Sequence, residues 1–437
     1  MSIPKQVHSL TDTRRAAVAP RMPQRLEDTG LDFSFVVELL AKVLYLRGQL
    51  RLPEISAHVK LPVGILEPVL ALMRTERLCE MSRRGETEGA MLYSLTDSGR
   101  ARAQDFLARS QYSGPAPVSL KAYVEQVQKQ SILNMAVDRQ RVRDVFSGVV
   151  IKEQLLDQFG AGMASGRAIF IYGPAGSGKT YIAERLVGLA SDDVGIPYAI
   201  AVDNEVIQVF DAVIHQPVAQ EKTVGAVLNL GNRDDARWVL CHRPAVIAGA
   251  ELTLSMLDLQ FDAQARFYQA PPHVKANNGL FVVDDLGRQL LSPRDLMNRW
   301  IVPMDRRIDY LTLHTGKKFL LPFDLILVFS SNLPPSDLAD PAFLRRIGYK
   351  IFVGPMEEGD YRKVFKDTCT ELGIPFIEEQ YRFLLGQYHE RTGTPLLACL
   401  PRDILSQVRD FSRFNGIPTE LSAELLDWAW NNYFTRD

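Results

Sequence analysis

Apolar spacing along the chain changes character twice, from a helical start through a centre of short buried runs to a helical end. Residues 1–30 carry no apolar period. They are polar, with Arg14, Arg15, Arg21 and Arg25 interrupted by prolines, and read as a flexible arm. From Phe33 to Leu46 the apolar residues recur at helical spacing. Leu52–Val59 gives a short second helix and Val63–Leu78 a third. Cys79–Tyr93 reads as a hairpin about Arg83-Arg84-Gly85, and Thr96 or Asp97 can cap a closing helix that runs to Leu107. Ser113-Gly-Pro-Ala-Pro-Val118 interrupts the pattern, so a linker is placed over 113–138, with a helix at Lys121–Gln130 inside it. Val150–Met163 gives another helix.

In the centre, Ala168–Tyr172, Ile196–Val202, Leu280–Val283 and Leu325–Phe329 are continuous apolar, β-branched or aromatic runs, the pattern of strands buried on two faces. Tyr310–Phe323 is two short runs about His314-Thr-Gly-Lys317, a hairpin by its turn chemistry. Residues 355–437 return to helical spacing, with Asp427-Trp-Ala-Trp430 as a lid core. Strands that alternate with helices predict an α/β fold with a parallel sheet over 139–354, a helical lid over 355–437 and a small N-terminal domain over 31–112.

The first central strand runs into Gly173-Pro-Ala-Gly-Ser-Gly-Lys-Thr180, which fits G-x-x-x-x-G-K-S/T in full. The glycines let backbone N–H groups converge on phosphates, Lys179 brings a point charge, and Thr180 offers a hydroxyl to Mg²⁺. Helical spacing resumes at Tyr181, so a helix N-terminus would face the nucleotide. Gly173, Pro174, Ala175, Gly176, Ser177, Gly178, Lys179, Thr180 and Tyr181 are the candidate nucleotide-binding residues.

Leu280-Phe-Val-Val ends in Asp284-Asp285. A buried strand can present an acid only at its carboxyl edge, so Asp284 is the candidate metal ligand and Asp285 the candidate to polarise an attacking water. The strand Leu325–Ser331 ends in Asn332, an amide placed to orient that water. Arg345 and Arg346 follow Asp340-Pro-Ala-Phe-Leu, and guanidinium groups stabilise spread phosphoryl charge. Pro401 suits the first turn of a helix that would turn Arg402 toward nucleotide.

This order of motifs resembles that of the AAA+ ATPase family over roughly residues 139–437. The resemblance implies Walker A at Gly173–Thr180, Walker B at Leu280–Asp285, sensor 1 at Asn332, an arginine finger at Arg345 or Arg346 acting in trans, and sensor 2 at Arg402. It also implies ATP with Mg²⁺, and self-assembly into rings, commonly hexamers. The hairpin at 310–323 looks like the one inserted before sensor 1 in the branch that holds MoxR-type and magnesium-chelatase ATPases, MCM helicases and enhancer-binding activators. One position departs from the family, which usually has Asp-Glu where this chain has Asp284-Asp285. The shorter acid sits about 1.5 Å further from a water, and a misplacement of about 1 Å can cost on the order of a hundredfold. Either the backbone compensates or hydrolysis is slow, and slow but real turnover is the expectation.

Residues 31–112 resemble a winged helix-turn-helix. Its third helix, however, carries only Glu67, Arg74, Glu76 and Arg77 as charges, with no Asn, Gln or Lys to read base edges or grip phosphate. A protein-facing adaptor fits this better than a DNA reader, although Arg83 and Arg84 keep DNA as the alternative. With net charge -2, the 437-residue chain has no global field for nucleic acid. The four cysteines form no C-x-x-C pair and the seven histidines no H-E-x-x-H, which points to a reducing compartment rather than a disulfide or zinc scaffold. No apolar run approaches the ~18 residues of a membrane span, so a cytoplasmic protein without membrane insertion is expected. Three functions are compatible with these residues: an ATP-driven remodeller of a protein partner, a DNA-directed activator or helicase-like factor, and a slow ATP-dependent assembly switch. Within 203–279, Ala248–Leu254 and Arg266-Phe-Tyr268 are candidate substrate-facing elements.

Overall fold

The computed structural model describes residues 20–83, 91–219, 234–290 and 292–434. Strands β1 (Ala168–Tyr172), β2 (Ala245–Ala248), β3 (Leu280–Val283), β4 (Ile326–Ser331) and β5 (Ile347–Phe352) form one parallel sheet. Their spatial order is β2-β3-β4-β1-β5. Alternation along each strand splits the side chains between two layers. Ile169, Ile171, Val282 and Val328 pack with Phe159, Met163 and Leu186 on one face, whereas Phe170, Phe281 and Phe329 pack with Leu296 and Trp300 on the other. All six residues of β4 are buried, which is why Ile326–Phe329 reads as an apolar run, and the strand ends in the buried polar pair Ser330 and Ser331. Helix α1 (Lys179–Val187) covers the first face and α2 (Pro293–Arg306) the second. The fold is α/β, as expected.

The second strand of this sheet is β2 and not Ile196–Val202. That run is divided: Asp193–Pro197 pairs with Trp238–His242, and Ala199–Val202 joins a separate sheet. Pro197 has no N–H to continue a ladder, and an apolar run does not state which sheet it enters. The separate sheet has the order Gln260–Asp262, Phe267–Gln269, Glu205–Gln208, Ala199–Val202, Val118–Ser119. The expected hairpin is present as Ile308–Thr312 and Lys318–Pro322. Its Leu311, Leu313, Phe319 and Leu321 are buried with Val118, Ile200 and Tyr268, so it forms a wall of this second unit.

Where the chain passes between the units, polar side chains interlock. Asp324 accepts hydrogen bonds from Ser131 Oγ at 2.8 Å, the Ile132 N–H at 2.8 Å, Asn278 Nδ2 at 2.6 Å and Arg307 Nη1 at 3.2 Å. Gln130 donates to Asn278 and Gly195, and Arg243 donates to the Gln130 and Asn278 carbonyls and to Asp192. Buried polar groups of this kind stabilise a junction only when they are mutually satisfied.

Helices Phe33–Arg47, Leu52–Val59, Val63–Thr75 and Asp97–Arg109 pack with the antiparallel strands Leu50–Arg51, Cys79–Arg83 and Met91–Leu95. From residue 84 the expected turn at Arg83-Arg84-Gly85 lies outside the described residues. The 113–118 segment is not a free linker. Tyr112 and Ala116 are buried, the Ala116 N–H donates to Val59 O at 2.7 Å, and the module shares its core with Ala199 and Val206 of the second unit. Residues 1–19 of the expected arm lie outside the described residues, whereas 20–30 are docked. The buried Arg237 donates to the carbonyls of Thr29 and Pro117 at 3.2 and 3.1 Å while paired with Asp235.

The C-terminal helices are α3 (Glu358–Leu372), α4 (Glu378–Leu384, continued by a π-helical turn, Leu385–Glu390), α5 (Leu400–Asn415) and α6 (Ala423–Tyr433). Tyr361, Phe365, Tyr381, Ile404 and Trp430 form their core. Among the described residues no single helix is long and apolar enough to cross a membrane.

Candidate nucleotide site

At the carboxyl end of β1 the chain turns through Gly173, whose φ of 152° is left-handed and where a Cβ would lie 2.0 Å from Val353 O. Gly176 has φ 81°, and a Cβ there would lie 2.5 Å from Cys399 Sγ. Only glycine fits such close approaches. Lys179 opens α1 and is 5% exposed, with Nζ donating to Pro174 O at 2.8 Å. Burial lowers its pKa, and the Asp285 and Asp284 carboxylates oppose that shift. Ser177 Oγ is buried with no hydrogen-bond partner among the described residues. A loop that holds an orphaned hydroxyl and a buried ammonium is suited to an anion.

Thr180 Oγ1 donates to Asp284 at 2.9 and 3.1 Å. Strand β4 lies between β1 and β3, so the residue that ends it falls between loop and acids. That residue is Asn332, and its Nδ2 donates to Asp285 Oδ1 at 3.3 Å. Asp285 has φ 50°, a left-handed conformation that Asp and Asn tolerate better than longer residues do. The turn is tied down on two sides. The Leu286 N–H donates to Ser330 O at 2.7 Å and Ser331 Oγ donates to Leu286 O at 2.7 Å, while Gln289 Nε2 donates to Asp284 O at 2.7 Å. The Asp284 N–H donates to Ala248 O at 2.9 Å, so Ala248 supports the acid strand rather than facing substrate.

The hydroxyl of Thr180 and the carboxylate of Asp284 are hard oxygen donors, which fits Mg²⁺, and the Gly173–Lys179 cradle fits the phosphates beside it. A cavity of about 450 Å³ adjoins the loop, lined by Val150, Ile151, Gly178, Tyr181, Met356 and Ala398 among others. Tyr181 is exposed there, with Arg185 stacked on its ring at 5.0 Å. The Cys399 N–H donates to Gly176 O at 3.0 Å, which seats the C-terminal helices on the loop. Of these walls, sequence reasoning named Gly178 and Tyr181 but missed Val150, Ile151, Met356 and Ala398, along with Ser331 and Gln289. Nothing local marks them, because they are ordinary residues that long-range packing brings to the loop.

Arg345 and Arg346 follow the short helix Pro341–Leu344 and differ sharply. Arg346 donates to Asp305 at 2.7 Å and to Ala342 O at 2.6 Å, whereas Arg345 is exposed with no side-chain partner among the described residues. Arg402 does not line the cavity. It is exposed, and its Nη2 donates to both Glu371 oxygens, at 2.8 and 2.6 Å. Arg266, Phe267 and Tyr268 serve packing: Arg266 donates to Ala108 O, Phe267 meets the Tyr112 ring edge-on, and buried Tyr268 bonds His314.

A family model described as a domain of unknown function (DUF8689) matches residues 357–432, the C-terminal helices. No curated protein matches the chain. Among solved structures the chain is similar to NtrX from Brucella abortus in complex with ATP, at 12% identity and a TM-score of 0.40, over 66% of this chain and 59% of that one. It is also similar to the RuvB Holliday junction branch migration motor of Thermotoga maritima, at 8% identity and a TM-score of 0.37, over 64% of this chain and 69% of that one. The chain thus spans less than two thirds of the length of NtrX.

Proposed function

We propose that the chain is an AAA+-type ATPase that hydrolyses ATP to ADP and phosphate and uses the cycle to remodel a protein partner. The observation that carries this reading is the meeting of Thr180 with Asp284, and of Asp285 with Asn332, beside the buried Lys179 at the carboxyl ends of β1, β3 and β4. In this reading Lys179 leaves Pro174 O for the phosphate oxygens. Thr180 and Asp284 hold Mg²⁺, which neutralises phosphate charge when bound. Asp285 takes the proton of the attacking water, with Asn332 orienting it, and the base occupies the cavity beside Tyr181 and Ala398.

The free Arg345 suits a finger supplied to a neighbouring subunit, and the engaged Arg346 suits a structural tie. A ring follows from that assignment, since each site is then completed by the next copy. Arg402 would have to leave Glu371 to act as a sensor. The N-terminal module, taken as a winged helix, exposes Val63, Gly64, Pro68, Ala71 and Leu72 on its third helix together with Glu67, Arg74 and Thr75, a largely apolar surface with one charge of each sign that suits protein rather than DNA.

Steady-state phosphate release tests the reading. Turnover should require Mg²⁺, stop with chelator, and be lost in Lys179→Ala. The absence of Mg²⁺-dependent ATP turnover would overturn it. A salt-dependent gel shift with the full chain separates the partner classes, and tight DNA binding at low salt would favour the DNA-directed alternative.

A further inference from the structure

The acid expected to polarise water is one methylene short, so its position depends on its backbone. Asp285 sits at φ 50°, and the residue after it is fixed at both of its peptide groups by β4. The Leu286 N–H donates to Ser330 O at 2.7 Å, and Leu286 O accepts from Ser331 Oγ at 2.7 Å. Ser331 is fully buried, and its oxygen also accepts the Leu333 N–H at 3.1 Å, which fixes the rotamer on the far side of Asn332. The consecutive residues Ser330, Ser331 and Asn332 thus all engage the Asp285-Leu286 turn.

A left-handed non-glycine residue persists only where its surroundings over-determine it. Gln289 holds the turn from its own side through Asp284 O, and its Oε1 accepts the Gly287 N–H at 2.9 Å. The only side-chain tie from β4 to the backbone of the turn, among the described residues, is the Ser331 hydroxyl. We propose that Ser331 is a positioning residue for hydrolysis: its hydroxyl holds the Asp285-Leu286 turn and so sets where the short carboxylate stands relative to Asn332. This rests on the ATPase reading above.

The test is Ser331→Ala, with Ser331→Thr as the variant that keeps the hydroxyl. In Ser331→Ala, kcat should fall on the order of tenfold to a hundredfold, the cost of a misplacement of up to about 1 Å. KM and nucleotide affinity should stay within about twofold, because the phosphate loop is untouched. Ser331→Thr should recover at least part of the loss. In an Asp285→Asn background Ser331→Ala should cost nothing further, since the hydroxyl acts through that acid. Independently of turnover, the Leu286 amide should exchange hydrogen faster in nucleotide-free Ser331→Ala than in the wild type, with distant β1 amides unchanged. Equal exchange at Leu286, or a kcat loss of the same size in the Asp285→Asn background, overturns the inference and leaves the ATPase reading standing. A wild type without Mg²⁺-dependent turnover overturns both.

Discussion

Thr180 Oγ1 lies 2.9 and 3.1 Å from the two carboxylate oxygens of Asp284, although 104 residues separate them in the chain. The contact joins the phosphate loop of β1 to the acid end of β3 across the intervening β4, and it makes the two motifs one site.

Asp285→Asn is a clean probe of that site. Asn is among the few residues that accept a left-handed φ, so the turn and the thermal midpoint should be preserved. Without a carboxylate to take a proton, turnover should fall by roughly 10²–10⁴-fold with nucleotide binding retained. Phosphate release and nucleotide titration check it, and unchanged turnover would remove Asp285 from the mechanism.

Arg345 and Arg346 should separate on substitution. Arg345→Ala should lose about 10³-fold or more in turnover if its guanidinium completes a neighbour's site, whereas Arg346→Ala removes the tie to Asp305 and should act mainly on stability. Mixing Arg345→Ala with Lys179→Ala should restore part of the activity, because some interfaces then pair an intact Lys179 with an intact Arg345. No recovery in the mixture argues that Arg345 works within its own chain.

Stability should fall as pH drops below about 6.5. Burial holds the pKa values of His58, His215 and His389 below their ordinary 6.5, opposed in each case by a hydrogen bond to the carbonyl of Ser113, Lys275 or Thr394. Between 6.5 and the lower folded values the unfolded chain binds protons that the folded chain does not. Each group then removes up to ~1.4 kcal/mol per pH unit inside that window and contributes nothing above it. Thermal midpoints recorded from pH 7.5 to 5 check this, and a flat profile would contradict it.

Asp324 should be the most sensitive position between the two sheet units. Asp324→Ala leaves the donors of Ser131, Ile132, Asn278 and Arg307 without their acceptor and should cost on the order of 3–5 kcal/mol. A denaturant titration reads it. A change below about 1 kcal/mol would mean that the junction is not held through this carboxylate.

Much of the site was legible because its chemistry is local. Gly173–Thr180 carries its own geometry in its glycines, and strands buried on two faces are apolar for most of their length, Leu280–Val283 throughout and Ile326–Phe329 before the buried Ser330 and Ser331. The end of each strand therefore announced Asp284, Asp285 and Asn332. The hairpin at 308–322 was legible from its turn, but not the face that it buries against Tyr268 and Ile200.

What the sequence by itself determined is the set of groups at the carboxyl ends of the strands and the α/β class. Only the tertiary structure decided the strand order that puts Asn332 between loop and acid, and the assignment of Ile196–Val202 to other sheets. It alone decided the docking of the 113–118 segment, the pairing of Arg402 with Glu371, the engagement of Arg346 but not Arg345, and the left-handed turn that Ser331 holds under Asp285. The reason is physical. A motif constrains neighbours along the chain, whereas these partners lie far apart in it and meet only because burial of apolar surface on both faces of the sheet fixes which strands stand side by side.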